Sequence, residues 1–426
     1  MKRKSLICLT AVACFVALGA GIGHAQQYRV FNLGAPLGGS FAAANGINDL
    51  GWAAGASNLS GDNTQHAVVW IYGFPLDLGT LGGPNSAVLW PGINNAGEAV
   101  GVSDTSSNDP NGEKWSCAAF FPSSHTGHTC VGFKWQWGRM TPLATLGGNN
   151  GFATNPNNRG QIAGWAENTV HDPTCVSPQV LQFEAVIWEA NGQSHQLPPY
   201  PGDPDSAATG INDRGQAIGI SGICQNAVGN QSATHAVLWQ NDTPIDLGSL
   251  GGTAWNTPMA INQQGQIVGF SDLTGDQNGD NPNFHAFLWV RPGPMQDLHT
   301  LTGDAISEAL GINERGQIVG VSYAAGFSNP RAFIYQHDRM IDLNTLTGAH
   351  PPLYLQVAGY INDSGVIAGQ GCYPGACAST DPAVAFVAVP TGDGRYQVSV
   401  GDSGTQGTTV AAQVLQRSMT AAAAKK

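Results

Sequence analysis

The sequence predicts an all-β protein: a seven-bladed β-propeller of four-stranded antiparallel blades, closed by an N-terminal strand. Three observations support this prediction, namely a motif that recurs seven times at intervals of about 50 residues, four short strand-like segments in each repeat, and a high glycine content. Glycine supplies 57 of the 426 residues, whereas charged residues make up only 11%. Such a composition is typical of a chain rich in turns and poor in helix.

The first 25 residues have the features of a signal peptide. Basic residues at positions 2–4 precede an apolar run over residues 6–22, and small residues follow it. We expect cleavage after Ala25. The alternative is an uncleaved membrane anchor, because the apolar run is close to the minimum of about 17 residues for a membrane span. Export predicts a secreted, extracellular protein, or a periplasmic one if the host has an outer membrane.

The repeated motif is Asn-x-x-Gly-x-x-x-Gly. Its asparagines are Asn48, Asn94, Asn157, Asn212, Asn262, Asn313 and Asn362. Segment A leads into the asparagine, segment B follows the first glycine, segment C is of the His-Ala-Phe-Leu-Trp type, and segment D ends at an Asp-Leu-Gly type sequence. Asn and Gly tolerate the positive φ that hairpin turns require. The short links therefore predict that A pairs with B, and C with D, as antiparallel neighbours.

The N-terminal strand is predicted to complete the last blade. Segments A, B and C occur seven times, whereas D follows only the first six repeats. A D-like segment at residues 28–33 would close the ring beside the seventh C segment at 384–388. The competing interpretation takes residues 396–400 as the seventh D strand. We expect the propeller domain to span residues 26–400 and residues 401–426 to form a disordered tail.

Three segments of the repeat carry a family resemblance. They are His-Ala-Phe-Leu-Trp at 285–289, Gly-Ile-Asn-Glu-Arg-Gly-Gln-Ile-Val-Gly at 311–320 and Asp-Leu-Gly-Ser-Leu-Gly-Gly at 246–252. Together they resemble the bacterial extracellular HAF repeat, and the resemblance covers nearly all of residues 28–390. It implies a secreted or surface-associated repeat protein of unassigned biochemical activity, and it carries over no catalytic residues.

The charge balance limits the possible partners. The chain has 17 Lys and Arg against 29 Asp and Glu, a formal net charge of −12. It lacks the positive charge that binding to nucleic acid or to an anionic membrane surface requires, so neither is expected as a partner. We expect a monomer. The sequence contains no Gly-x-Ser-x-Gly, His-Glu-x-x-His, Walker or dinucleotide motif.

Cysteine content agrees with export. The six cysteines beyond the signal segment are Cys117, Cys130, Cys175, Cys224, Cys372 and Cys377. An even number in an exported chain predicts disulfides, although six cysteines allow 15 pairings. We expect one bridge within each of two loops, Cys117–Cys130 and Cys372–Cys377. Cys175–Cys224 then follows by elimination.

Several residues recur at equivalent positions of the repeat, and we interpret them as structural. Segment C begins with a histidine in three repeats, at His66, His235 and His285. A ring of histidines that binds a metal is the alternative, but other residues fill the remaining four positions. The recurring aspartates are expected to accept hydrogen bonds from turn backbones, and they are Asp77, Asp246, Asp297 and Asp342. Aromatic residues near the end of C are expected to pack between blades: Trp70, Trp135, Trp188, Trp239, Trp289 and Tyr335.

Ligand binding is predicted on the face that carries the B–C and D–A loops, which we call the loop face. The long insertions and all six cysteines fall in B–C loops. Aromatic residues outside the repeat pattern gather there as candidate ligand contacts: Trp115, Phe120, Phe121, Phe183, Tyr323, Phe327 and Tyr373. The alternative for each is packing of the loop on the blade ends.

One B–C loop resembles a calcium loop in its spacing. Asp276, Asn278 and Asp280 offer oxygen ligands at positions 1, 3 and 5. However, Asn281 stands where calcium loops have a glycine, and no Glu follows at position 12. Calcium is therefore a possible ligand, with an Asx-rich turn as the alternative, and no other cofactor is expected.

These observations favour a secreted, non-catalytic protein that binds an extracellular glycan, peptide or surface protein through the loop face. The alternative is an extracellular hydrolase or lyase with its active site at the channel mouth on the same face. Carboxylates or histidines converging at the channel mouth would favour the enzyme.

Overall fold

A computed structural model of the protein describes residues 27–113, 121, 127–225, 231–275, 283–378 and 381–391. These residues form seven four-stranded antiparallel sheets arranged as blades of a ring. The predicted seven-bladed β-propeller is therefore confirmed. The signal segment and the C-terminal tail lie outside the described residues, and no described helix is long and apolar enough to cross a membrane.

The 28 described strands follow the predicted order A, B, C, D in each blade. The A strands are β2 (Gly38–Ile47), β6 (Gly82–Ala87), β10 (Gly151–Pro156), β14 (Asp205–Ile211), β18 (Gly251–Ile261), β22 (Ile306–Ile312) and β26 (Tyr354–Ile361). The B strands are β3 (Ala53–Leu59), β7 (Ala99–Asn108), β11 (Ile162–His171), β15 (Ala217–Gly222), β19 (Ile267–Leu273), β23 (Ile318–Ala324) and β27 (Ile367–Cys372). The C strands are β4 (Gln65–Ile71), β8 (His128–Gln136), β12 (Leu181–Trp188), β16 (His235–Gln240), β20 (Phe284–Trp289), β24 (Ser328–Gln336) and β28 (Val384–Pro390). The D strands are β5 (Phe74–Asp77), β9 (Arg139–Pro142), β13 (Ser194–Gln196), β17 (Thr243–Asp246), β21 (Gln296–Asp297), β25 (Arg339–Asp342) and, in blade 7, β1 (Tyr28–Gly34).

The N-terminal strand closes the ring. Strand β1 pairs antiparallel with β28, in a register that runs from Tyr28 opposite Pro390 to Gly34 opposite Ala385. Tyr28 and Val30 are buried, so the strand contributes side chains to the core as well as backbone hydrogen bonds. The position of the seventh D strand is thus occupied by the start of the domain, and the competing candidate at 396–400 lies outside the described residues.

The two glycines of the motif have different structural roles. Gly265, in the turn between β18 and β19, has a φ of +80°, a conformation that side chains other than glycine disfavour. Gly269 lies opposite a bulged part of β18, and a Cβ there would meet the carbonyl oxygen of Thr257 at 2.1 Å. The first glycine therefore makes the turn, and the second allows strands A and B to approach each other.

The motif asparagines do not adopt the positive φ that the sequence analysis predicted for the hairpin turns. None of the seven is among the described residues with positive φ. Instead the side chain of Asn262, for example, accepts a hydrogen bond from the backbone N–H of Gln266 and caps the turn from inside. Asparagine is required here for its side-chain amide.

The core lies between the blades. The recurring aromatic residues of strand C are all buried, and they pack in the hydrophobic clusters that join neighbouring sheets. The indole N–H groups of Trp188 and Trp239 also donate hydrogen bonds to the carbonyl oxygens of Ala144 and Pro198 in D–A loops. Their predicted role in packing between blades is confirmed.

Two of the three predicted disulfides are confirmed. Cys175–Cys224 joins the B–C loops of blades 3 and 4, and Cys372–Cys377 closes a short loop in blade 7. Cys130 is also disulfide-bonded, and its predicted partner Cys117 lies outside the described residues. The disulfides seen here brace the loop face.

Candidate functional site

The face that carries the A–B turns is closed by a ring of hydrogen bonds between blades. The side-chain amide of each motif asparagine donates to the backbone carbonyl oxygen of the asparagine in the next blade, at 2.9–3.2 Å. The seventh bond runs from Asn362 in blade 7 to Asn48 in blade 1 and completes the circle. Since each asparagine also caps its own turn, both its side-chain oxygen and its amide nitrogen take part in hydrogen bonds.

A second ring is formed by the residues that follow these asparagines. The backbone N–H of each donates to the side-chain oxygen of its counterpart in the next blade, at 2.7–3.1 Å. The residues are Asp49, Asn95, Asn158, Asp213, Gln263, Glu314 and Asp363. Four carboxylates therefore converge where the channel opens on this face.

A cavity of about 230 Å³ lies on the axis behind these rings and is lined by residues of all seven blades. Burial, followed by repulsion from Asp49, raises the pKa of Asp363; burial also raises that of Glu314, with Asp363 and Asp213 adding repulsion. Each carboxylate already accepts a backbone hydrogen bond. Their arrangement is explained by ring closure, because an acceptor oxygen is what each backbone N–H needs.

The channel has a second cavity of about 310 Å³ toward the loop face. Its described lining is Phe41, Ala43, Asn45, Ala56, Gln65, Leu89, Trp90, Met259 and Gln370. None of these residues carries a carboxylate, imidazole, thiol or hydroxyl group. The described lining of this cavity thus lacks the convergence of acids or histidines that would favour a hydrolase or lyase.

One carboxyl group stands apart on the innermost strand of blade 6. Burial raises the pKa of Glu308 on β22 to about 7. Burial also raises the pKa of the nearby Tyr323 phenol, and the negative charge of Glu308 raises it further. A pKa near neutrality suits acid or base catalysis. Glycoside hydrolysis, however, uses two carboxyl groups at a defined separation, whereas burial alone, with no contribution from a neighbouring carboxylate, raises the pKa of Glu308.

A groove between blades 6 and 7 opens on the loop face. Its volume is about 510 Å³, and its described lining is Asn329, Pro330, Asn344, Pro351, Tyr354, Gln356, Pro374, Gly375 and Cys377. No charged residue belongs to this lining. The side-chain amides of Asn329 and Gln356 make no hydrogen bond with the described residues, so both can serve a ligand.

Short-range bonds hold the groove in shape. Asn344 in the D–A loop donates to the carbonyl oxygen of Leu355 at 3.0 Å and accepts from its N–H at 2.8 Å, which fixes the start of β26. On the opposite wall, the Cys372–Cys377 disulfide closes the loop that contains Pro374. Three prolines in the lining further restrict the backbone. The groove is therefore largely preformed.

The aromatic residues predicted to contact a ligand differ in solvent exposure. Phe183 is completely buried and Phe121 is 7% exposed, both in one cluster under the loops, so their prediction as ligand contacts is wrong. Their rings fill the space between blade ends, where burial is more favourable than exposure. Tyr323 is mostly covered by its neighbours, whereas Phe327 and Tyr373 are 42% and 50% exposed. Trp115 and Phe120 lie outside the described residues.

Each of the repeated histidines forms a side-chain hydrogen bond with a nearby aspartate. His66 lies 2.9 Å from Asp77, His235 lies 2.8 Å from Asp203, and His285 lies 3.0 Å from Asp297. The recurring aspartates also accept turn N–H groups, as Asp77 does from Gly79. These findings agree with the structural interpretation of the repeat.

Blade 5 departs from the other blades, and sequence reasoning missed this. His299 lies 3.1 Å from Asp297, so a second imidazole joins the pair. The signal was present in the sequence, because Asp-Leu-His at 297–299 stands where the first and fourth repeats have Asp-Leu-Gly, at 77–79 and 246–248. The predicted calcium ligands Asp276, Asn278 and Asp280 lie outside the described residues.

Two carboxyl groups are paired beneath the loop face. Asp205 and Asp172 are hydrogen-bonded to each other, and Asp205 also accepts from the N–H of Phe183 at 2.9 Å. Burial raises the pKa of Asp205 to about 9, with Asp172 as the next cause, while hydrogen bonds lower that of Asp172 despite its burial. The pair therefore shares one proton at neutral pH.

Comparison with known proteins found likeness to solved structures only, at low identity. A scan against protein-family models found no match, and a search of curated proteins found none either. Among solved structures, an acylaminoacyl peptidase from Pyrococcus horikoshii is 8% identical with a TM-score of 0.44, over 82% of this chain and 51% of that one. A puromycin hydrolase is 13% identical with a TM-score of 0.43, over 81% and 51%. A gluconolactonase from Xanthomonas campestris is 12% identical with a TM-score of 0.32, over 61% and 78%.

The chain spans about half the length of the peptidase and of the puromycin hydrolase. At these identities and scores the likeness bears on neither substrate nor chemistry. The class of protein that the fold defines is a seven-bladed β-propeller with a disulfide-braced loop face.

Proposed function

We propose that this chain is an exported, non-catalytic β-propeller that binds a neutral glycan in the groove between blades 6 and 7. The observation that carries the proposal is the combination in that groove of an aromatic ring, two unengaged amides and an uncharged, preformed lining. Export is supported by the signal-like N-terminal segment and by the disulfides.

The chemistry of the lining suits a sugar. The ring of Tyr354 offers an apolar surface with a polar tip, on which the C–H face of a pyranose can pack. The amides of Asn329 and Gln356 offer both donors and acceptors, as sugar hydroxyls require. A groove of about 510 Å³ lies in the usual range for small-ligand sites. Because no lining residue is charged, the best-matched ligand is uncharged.

The opposite face is less suited to this role. Its polar side chains are engaged in the two rings of hydrogen bonds that hold the blades together. A ligand that used these groups would compete with closure of the propeller. The loop face carries no such constraint.

A glycan array followed by calorimetry tests the proposal. The wild-type chain should bind a neutral glycan, and Tyr354→Ala or Gln356→Ala should weaken binding at least tenfold while melting at a similar temperature. Gln264→Ala is the matched control, because Gln264 is exposed on the opposite face. It should bind like the wild type.

Two results would overturn the proposal. One is the absence of neutral-glycan binding by folded wild-type chain, including the case in which a peptide library binds instead. The other is unchanged glycan affinity in both groove variants.

Export is tested separately. Mass spectrometry of the protein recovered outside the cytoplasm should show an N-terminus at Gln26. Recovery of the chain with residues 1–25 still attached and membrane-bound would support the anchor instead.

A further inference from the structure

Three potential metal ligands meet on the outer strands of blade 5. His285 lies on β20, Asp297 on β21, and His299 two residues further on, and their ligand atoms all lie within 4.8 Å of one another. The Nδ1 atoms of His285 and His299 are 3.0 and 3.1 Å from carboxylate oxygens of Asp297. Within the described part of the chain this is the group of three such ligands that the structure brings together.

The repeats of this chain show what is unusual about blade 5. In blade 1 the carboxylate of Asp77 accepts a hydrogen bond from the N–H of Gly79, and in blade 5 Asp297 accepts the same bond from His299. Gly79 has a φ of +70° and His299 a φ of +60°. A side chain in this left-handed region costs about 1–2 kcal/mol. The two blades thus have the same turn. In blade 5, however, a histidine with a left-handed backbone replaces the glycine, and its imidazole is added to the site.

The ligand set matches a borderline transition-metal ion. Zinc binds imidazole nitrogen and carboxylate oxygen at about 2.0–2.2 Å, which places tetrahedral ligands about 3.4 Å apart. The two His–Asp distances are close to that value, so small side-chain rotations would admit the ion.

The site is accessible from solvent. The side chain of His299 is 76% exposed, whereas those of His285 and Asp297 are 17% and 27% exposed. Two ligands are thus fixed against the blade, and the third approaches from the open side. Three protein ligands leave a fourth coordination position for water or an external oxygen donor.

We propose that His285, Asp297 and His299 form a surface site for Zn²⁺ on blade 5, separate from the groove between blades 6 and 7. The proposal does not depend on glycan binding, since the two sites share no residue.

The first test is zinc titration of chelator-treated chain that carries no polyhistidine tag, by calorimetry. The wild type should bind one Zn²⁺ per chain, and His299→Gly should weaken binding at least tenfold. Glycine is the natural replacement because the equivalent turns of blades 1 and 4 contain it, as Gly79 and Gly248, so this variant should keep or raise the melting temperature. His66→Ala is the matched control, since His66 has an aspartate partner but no second histidine; it should bind zinc like the wild type.

A gain-of-site variant tests the geometry independently. Gly79→His places the missing imidazole beside His66 and Asp77, and a Cβ at Gly79 would meet no atom within 4 Å. The folded variant should bind two Zn²⁺ per chain. The proposal is overturned if the wild type binds no Zn²⁺, if His299→Gly binds it as tightly as the wild type, or if folded Gly79→His still binds a single ion.

Discussion

The side-chain amide of Asn362 donates a hydrogen bond of 2.9 Å to the backbone carbonyl oxygen of Asn48, 314 residues away in the chain. This bond joins the last blade to the first and makes the asparagine ring continuous. The clasp between β1 and β28 joins the same two ends of the domain at its outer edge. The propeller is therefore closed at two radii, by a strand outside and by asparagine side chains inside.

The outer closure can be tested by deletion. Removing residues 28–34 deletes β1 but leaves β2 of blade 1 intact. The edge of β28 would then be unpaired and the core would lose Tyr28 and Val30, so we expect loss of folding or aggregation. Thermal unfolding and size-exclusion chromatography measure this. An unchanged melting temperature with monomeric elution would show that the clasp is dispensable.

The inner closure can be tested at one turn. Asn262→Ala removes the bond to the carbonyl oxygen of Asn313 and leaves the N–H of Gln266 without its buried acceptor. We expect a loss of about 1–3 kcal/mol in the free energy of unfolding. Gln264→Ala in the same turn removes an exposed bond to Glu314 and should cost about 0.5 kcal/mol or less. Equal effects in urea unfolding would argue against a special role for the ring.

The corrected position of Phe183 leads to a prediction about stability. Phe183→Ala should destabilise the protein by about 3–5 kcal/mol, because the ring is completely buried and its loss leaves a cavity. Phe327→Ala should cost about 1 kcal/mol or less, since that ring is 42% exposed. Chemical unfolding of the two variants provides the comparison. A similar small cost for both would mean that Phe183 does not support the loop face.

The Asp172–Asp205 pair should make stability depend on pH. The pKa of Asp205 is raised to about 9 in the fold, against about 3.9 in an unfolded chain. Below about pH 4 the carboxyl is protonated in both states and adds no pH dependence. Between about pH 4 and pH 9 the fold keeps a proton that the unfolded chain has lost, so its contribution falls as pH rises, by up to about 1.4 kcal/mol per pH unit.

Asp205→Asn isolates this group. The amide is neutral at every pH, can accept from the N–H of Phe183 and can donate to Asp172, so it imitates the protonated acid. Its free energy of unfolding, measured from pH 5 to pH 8, should decline less steeply than that of the wild type. Parallel curves for the two proteins would show that Asp205 titrates normally.

The sequence by itself determined the architecture of this protein. Seven copies of one motif fixed the number of blades, hairpin-length links fixed the pairing of A with B and of C with D, and the missing seventh D segment indicated the clasp by β1. Two disulfides could also be predicted, Cys372–Cys377 from its short loop and Cys175–Cys224 by elimination. These features are local or repetitive, so they leave a signature in residue spacing.

Only the tertiary structure decided which side chains are available to a ligand. Phe183 near the start of β12 and Phe327 in the B–C loop of blade 6 were both predicted as ligand contacts, yet one is buried and the other exposed, because packing against a neighbouring blade is not encoded in spacing. The groove likewise combines residues such as Asn329 and Gln356 from two blades. The second imidazole of blade 5 was visible in the sequence as a departure from the repeat, but its proximity to Asp297 depends on the left-handed turn that places His299 there. Contacts between blades arise from closure of the whole ring, and the sequence pattern of a single repeat does not contain them.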